Sequence, residues 1–295
     1  MKFILLIVII IMILTAYFTM RSAIKPRKNI LFGVTLPKEV LDNKEILEIT
    51  REYKKDINTY ILIGSILGLA TLIISKVSLQ IIYLLIWSFA MTGLVVNLPY
   101  KKTNKKLKVI KEHNNWYTKN DNDEYWINGY KYYNKNDDKI TVSSRYGYSL
   151  TYNLANKKGK ILNYGGLVLS FIIVTIICTL LLVMDFSKPT INISKESGKV
   201  IIDYPIYNYD FLIDDIDTVK LVDNIKLKAK TNGIGTNEYS RGNFRAKEYG
   251  KCRVYIYKES KPYIVIKVKN RYVIYNEEDK IETLKVYKEI KSILK

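Results

Sequence analysis

The chain has 295 residues, with 47 Lys and Arg against 28 Asp and Glu, a formal net charge of +19. One His and two Cys exclude a disulfide framework and any metal centre built on a His/Cys cluster. The basic excess is spread along the chain and accompanies heavy use of Ile, Asn and Tyr, the usage of an AT-rich genome, so it does not read as the dense basic stripe of a nucleic-acid binder.

Four stretches, 3–19, 57–75, 79–98 and 162–184, contain no Asp, Glu, Lys, Arg or His. Each approaches the roughly 20 apolar residues that cross a hydrocarbon core about 30 Å thick. Only helices do this in lipid with every backbone group satisfied internally, apart from closed barrels. The reading is therefore an integral membrane protein with four helical spans. The first run is expected to be a span and not a cleaved signal peptide, because its basic residues follow the apolar run and no small-x-small site closes it. Nine basic groups lie between 21 and 56, and a second cluster (Lys101, Lys102, Lys105, Lys106, Lys108, Lys111) follows the third span. Basic loops stay cytoplasmic. Both loops are then inside, and the N-terminus and the C-terminal tail are outside. The expected organisation is three transmembrane helices with a cytoplasmic loop at 21–56 (1–99), a cytoplasmic polybasic and aromatic-rich small domain (100–160), a fourth span (161–185) and a soluble domain (190–295).

The spans carry no ionisable group, which argues against a transporter or proton relay. Gly64 and Gly68 form a GxxxG whose small residues suit close packing within the bundle. In the first loop, Asn29–Gly33 and Val34–Pro37 read as a short extended piece before a helix. Ile46, Ile49, Tyr53 and Ile57 then repeat at spacings of three and four, an apolar helix face. Its acids and bases interleave as on a membrane-surface or solvated helix. Lys101–Lys111 is a polybasic juxtamembrane run. It serves to enforce topology, and its six lysines are the candidate contacts to anionic lipid, at roughly 1 kcal/mol per charge near the surface.

After it come aromatic-rich short strands around an Asn-Asp-Asp turn (Trp126–Val142, then Arg145–Ala155). Asp137 and Asp138 belong to that turn and not to acid/base chemistry, since adjacent turn residues point apart. Trp126, Gly129, Tyr132, Tyr133, Asn134, Asp137, Asp138, Arg145, Gly147 and Asn153, with the NILFGVTLP segment, follow a pattern. That pattern resembles a short domain of unknown function found in membrane proteins of Firmicutes. The resemblance implies a Gram-positive source and brings no activity with it.

The tail alternates in short runs: Thr190–Ser194, Lys199–Tyr204, Tyr207–Ile213, Ile216–Val222, Asn243–Tyr249, Lys251–Lys258, Tyr263–Val268 and Arg271–Tyr275. In the seventh, Ile264, Ile266 and Val268 share one face and Tyr263, Val265 and Lys267 the other, as a half-buried strand requires. A closing helix follows, with Asn276 as its expected N-cap, Ile281, Leu284, Tyr287, Ile290 and Leu294 as its apolar stripe, and lysines through Lys295 toward its end. The segments Thr231–Thr236, Gly242–Phe244, Glu248–Lys251 and Val254–Tyr255, in this order, resemble the bacterial pleckstrin-homology domain family over about 204–294. The resemblance implies an all-β pleckstrin-homology-like barrel with one closing helix and a binding role. Gly233 and Gly235 read as a positive-φ turn or a ligand-binding loop, not a phosphate cradle, which needs a strand-to-helix context. Asn232, Gly233, Gly235 and Tyr249 are the candidate binding residues.

The expected function is a membrane protein presenting a binding or sensing module to a peptide, protein or cell-envelope ligand, with no catalysis, cofactor, metal or nucleic acid. The alternative is a transport or immunity component acting through the bundle.

Overall fold

The computed structural model describes residues 2–146 and 149–294. Gly147 and Tyr148 of the aromatic segment, and Lys295 of the closing helix, lie outside the described residues. The chain divides into two units, Met1–Leu180 and Leu181–Lys295.

In the first unit, α1 (Lys2–Ser22) leads to a tight hairpin of β1 (Ile30–Leu31) and β2 (Val34–Thr35). Its two turn residues, Phe32 and Gly33, both have positive φ (46° and 75°), the geometry of a two-residue hairpin turn. Phe32 is held in this disfavoured region because its ring is buried, packed edge-on against Tyr53 at 4.8 Å and Tyr100 at 6.4 Å. Next comes α2 (Lys44–Leu69), whose first turn is capped by the Asn43 side chain accepting from Glu45 N–H. Ile46, Ile49, Tyr53 and Ile57 are all buried along it. That face covers a protein core and does not lie on a membrane surface.

After a short turn, α3 (Val77–Ala90), a π-helical turn at Met91–Val95 and α4 (Asn97–His113) form one 37-residue helical run. The wide turn has a cause four residues further on. Pro99 has no N–H to give the Val95 carbonyl, so the ladder opens there. The run lies antiparallel to α2 over its whole length. Gln80 Nε2 donates to Thr71 O, the Trp87 indole to Gly64 O at 2.8 Å, Lys102 pairs with Asp56 and Lys106 with Glu52. Gly64 and Gly68 permit this approach. A Cβ on Gly68 would lie 2.7 Å from the Trp87 ring and 3.2 Å from Ile9, and one on Gly64 would meet the Met91 sulfur. α1 runs antiparallel to α2 as well, with Ile9 beside Gly68 and the Tyr53 hydroxyl donating to Met20 O.

Two small hairpins follow, β3 (Trp126–Ile127) with β4 (Lys131–Tyr132) and β5 (Thr141–Ser143) with β6 (Leu150–Tyr152). Asn153 is fully buried and knits them together. It accepts from Asn134 N–H and Ala155 N–H and donates to the carbonyls of Asn134 and Asp137. Asp137 accepts from the Tyr132 hydroxyl and Lys139 N–H, a turn role.

Three helical runs among the described residues are long and apolar enough to cross a membrane: Lys2–Ser22, Val77–His113 and α5 (Lys157–Phe186). Four were expected. The stretch 57–75 differs because its apolar half is spliced, within α2, to the charged turns that precede it.

In the second unit, β7 (Thr190–Ser194), β8 (Lys199–Asp203) and β9 (Tyr209–Leu212) form an antiparallel three-stranded sheet. β10 (Ile216–Val222), β11 (Leu227–Gly235), β12 (Tyr239–Ala246), β13 (Gly250–Tyr257), β14 (Tyr263–Val268) and β15 (Arg271–Tyr275) form a six-stranded sheet in the order β10-β14-β15-β13-β12-β11. Pairing is antiparallel except between β13 and β15, which run parallel. The strand order ends at β10 and β11 and does not return on itself as an expected closed barrel would.

Alternation places Ile264, Ile266 and Val268 in one core with β8, Phe211 and Ile290 of α6 (Lys280–Ile293), and Tyr263 and Val265 in another with Cys252, Val254, Ile256 and Ile274. β14 is thus buried on both faces, not one. The N-cap of α6 lies three residues after the expected one. Asp279 accepts from Ile281 and Glu282 N–H, while Asn276 is buried and bridges Tyr257 and Ser260.

Candidate functional site

The stretch from Thr231 to Thr236 was expected to be a glycine-rich loop. Residues 231–235 are instead the second half of an edge strand, with Thr236 in the turn after it, and neither Gly233 nor Gly235 has positive φ. Sparse apolar content and two lysines hid a nine-residue strand whose only strand partner among the described residues is β12. The glycines serve contact. A Cβ on Gly233 would strike the Arg241 carbonyl at 2.5 Å and the Phe244 ring at 3.0 Å, and one on Gly235 would sit 3.7 Å from the same ring. They let β11 lie close over Phe244. Two register shifts, between Leu227 and Ala229 and between Lys230 and Asn232, break the regular alternation, the effect by which bulges re-aim side chains at sheet edges.

The result is a groove of about 690 Å³. Leu227, Phe244, Ile256 and Tyr263 supply its apolar lining and Lys226, Lys228, Lys230 and Lys258 its charge, with no carboxylate among the described lining residues. Lys226, Lys228 and Lys230 are exposed. Lys258 donates to Thr236 O. Such a surface attracts anions, and the unpaired edge of β11 offers backbone donors and acceptors to an extended chain. Of the expected binding residues, Gly235 lines this groove and Gly233 packs beside it. Asn232 points to the other side, where it accepts from the Tyr207 hydroxyl at 3.3 Å. Tyr249 stands in the β12–β13 turn against Tyr272 at 5.1 Å. The lysines were missed, although their alternation at 226, 228 and 230 is a readable signal.

A second cluster lies at the end of α5. Arg241 is 2 % exposed, and its guanidinium lies 4.0 Å from the Tyr239 ring centroid, 4.7 Å from Tyr204 and 5.2 Å from Tyr257. It donates to the carbonyls of Ser187 (2.7 Å) and Met184. A cation there complements the negative end of the helix dipole. The Tyr204 hydroxyl also donates to Met184 O, and Tyr239 to Asp185 at 2.6 Å. Burial, then the bond to Asp185, raises the Tyr239 pKa. These groups fasten the last turn of α5 to β12.

The polybasic run is used inside the first unit. Lys111 is 3 % exposed and pairs with Asp121 and Asp123. Lys108 donates to the carbonyls of Asp123 and Trp126, Lys102 and Lys106 pair with α2, and Lys101 lies over Tyr130. Lys105 is exposed. Asp123 also accepts from Thr35 N–H and hydroxyl and from Arg145, which donates to Gly33 O and stacks on Trp126 at 4.9 Å. Burial pushes the Asp123 carboxyl up, but the bonds from Lys111, Arg145 and Thr35 outweigh it and hold it below the ordinary carboxylate range.

Among the described residues no group of three His, Cys, Asp or Glu could hold a metal ion. The buried Cys252 thiol is pushed up to about 11 by burial, which leaves little thiolate for nucleophilic chemistry.

Residues 191–285 match the family described as a bacterial PH domain. No curated protein and no solved structure matches the chain.

Proposed function

We propose that this is a four-span membrane protein whose bacterial PH domain is a non-catalytic binding module for an acidic extended peptide segment, carried on the face of the membrane opposite the small domain. The observation that carries the reading is the lysine-rimmed groove beside the unpaired edge of β11.

The span count is supported by contacts within the first unit. Thr35 and Gly33, before the α2–α3 hairpin, bond to Asp123 and Arg145, after it. Segments in such contact share one side of a membrane, so the chain between them crosses an even number of times. If α3 crosses, the second half of α2 crosses with it. Basic flanks favour the cytoplasm for this side. α5 is free of charge from 161 to 184 and is apolar over its length, and its crossing would carry the PH domain outside. The small domain would fasten the hairpin, and the Arg241 clamp would hold the last turn of α5 to β12.

Two measurements test this. A reporter active only outside the cell, fused after Lys295, should be active. The full chain in nanodiscs should bind acidic extended peptides over basic ones, with loss on combined K226Q, K228Q, K230Q and K258Q. A silent outside reporter refutes the sidedness, and peptide binding indifferent to the four lysines refutes the groove.

A further inference from the structure

The α1 exit carries a second cationic site. Between 21 and 28 the chain reads Arg-Ser-Ala-Ile-Lys-Pro-Arg-Lys, four cations with no acid before Glu39. A cavity of about 570 Å³ opens at this exit, within the range of small-ligand sites. Arg21, Lys25 and Arg27 form its cationic side, and Phe18, Phe32 and Tyr100 its aromatic one. Arg145 closes a wall, its own charge balanced by Asp123. No carboxylate is among its described lining residues.

Its depth in the membrane follows from the helices. The charge-free runs 3–19 and 79–98 end where Arg21 and Tyr100 begin, so the cavity lies at the headgroup level. An amphiphile with a phosphate at that level and hydrocarbon below it matches both halves of the lining. We propose that this cavity is a binding site for the phosphate headgroup of an anionic membrane lipid, with Arg21 and Lys25 as its principal charge donors. It is a built cavity at the end of α1, distinct from a smeared attraction to the polybasic run of α4.

The test uses the full chain in neutral detergent, titrated with short-chain phosphatidylglycerol and, separately, phosphatidylcholine, with bound lipid counted by native mass spectrometry. The wild type should retain one phosphatidylglycerol in preference to phosphatidylcholine. Combined R21Q, K25Q and R27Q should weaken this about a hundredfold, at roughly fivefold per charge. Combined K157Q, K158Q and K160Q removes three exposed charges at the start of α5 and should leave it within a fewfold of wild type. An unchanged thermal transition shows the cavity variant is folded; if it is not, the single R21Q and K25Q variants are titrated and should each lose about fivefold. Equal loss in both triple variants, retention in the cavity variant, or equal phosphatidylcholine binding would each overturn the site. So would displacement by free glycerol phosphate at the same concentration, since that would make the site one for a soluble anion.

Discussion

Replacing Asp123 by Asn tests whether the small domain is held by its buried charges. Asp123 and Asp121 face Lys111 and Arg145, and the side chains of Asp123, Lys111 and Arg145 are 12 %, 4 % and 4 % exposed. Asn keeps the volume and one acceptor but removes a charge, so one buried cation loses its balance. Breaking a buried pair in this way costs about 3–5 kcal/mol. At about 2–4 °C per kcal/mol for a unit of this size, the transition should fall by roughly 10 °C. Thermal unfolding of the full chain in detergent, followed by tryptophan fluorescence, reads it, since Trp126 lies under Arg145. The double variant D123N/R145Q restores neutrality and should lose less than the sum of its parts, by about 1–3 kcal/mol. The pH dependence has a definite sign. A carboxyl with a depressed folded pKa contributes stability above its unfolded pKa, and loses it as pH falls through the folded value. The lead of wild type over D123N should therefore be full at neutral pH and vanish only below roughly pH 4. A D123N transition within 2 °C of wild type, or additive single variants, would refute the argument.

Gly129→Ala should destabilise the first unit by about 1–3 kcal/mol, because φ is +78° and the new Cβ would meet Asn104 Nδ2 at 2.5 Å and Phe32 O at 2.9 Å. Gly165→Ala, with nothing within 4 Å, should leave the same melting curve in place. Arg241→Gln removes the cation from its three tyrosines, and amide exchange through the last turn of α5 should speed by tenfold or more, equivalent to about 1.4 kcal/mol; unchanged exchange would show that the clamp is idle. Iodoacetamide at pH 8 should spare Cys252 in the folded chain, whose thiol at about 11 leaves roughly one thiolate in a thousand, and label it once urea unfolds the domain.

Much of the architecture was legible because it rests on local chemistry. Apolar runs without charge announce helices for lipid, and seven of the eight expected strands match in place or within a few residues, since alternation is a property of neighbours. The face of Ile46, Ile49, Tyr53 and Ile57 was read correctly as apolar, though not what it covers. β11 was illegible because an edge strand buries little and its lysines and glycines look like a loop. Asn276 was mistaken for a cap because sequence cannot tell a polar residue at a helix start from one three residues earlier that ties the end of β13 to the turn after it.

The sequence alone determined that the chain carries apolar runs long enough to cross a membrane, that its tail is mostly strand with a final helix, and that the tail has the order of segments found in bacterial PH domains. All of these follow from composition and short-range period. Tertiary structure decided which charges are available. Six lysines in one run look alike on paper, yet Lys111 is buried between two carboxylates and Lys105 is exposed, because charge is cancelled by partners up to 54 residues away in the chain. The same long-range pairing joins Thr35 to Asp123 across the helical hairpin, and no local pattern encodes a contact that only the folded chain brings within reach.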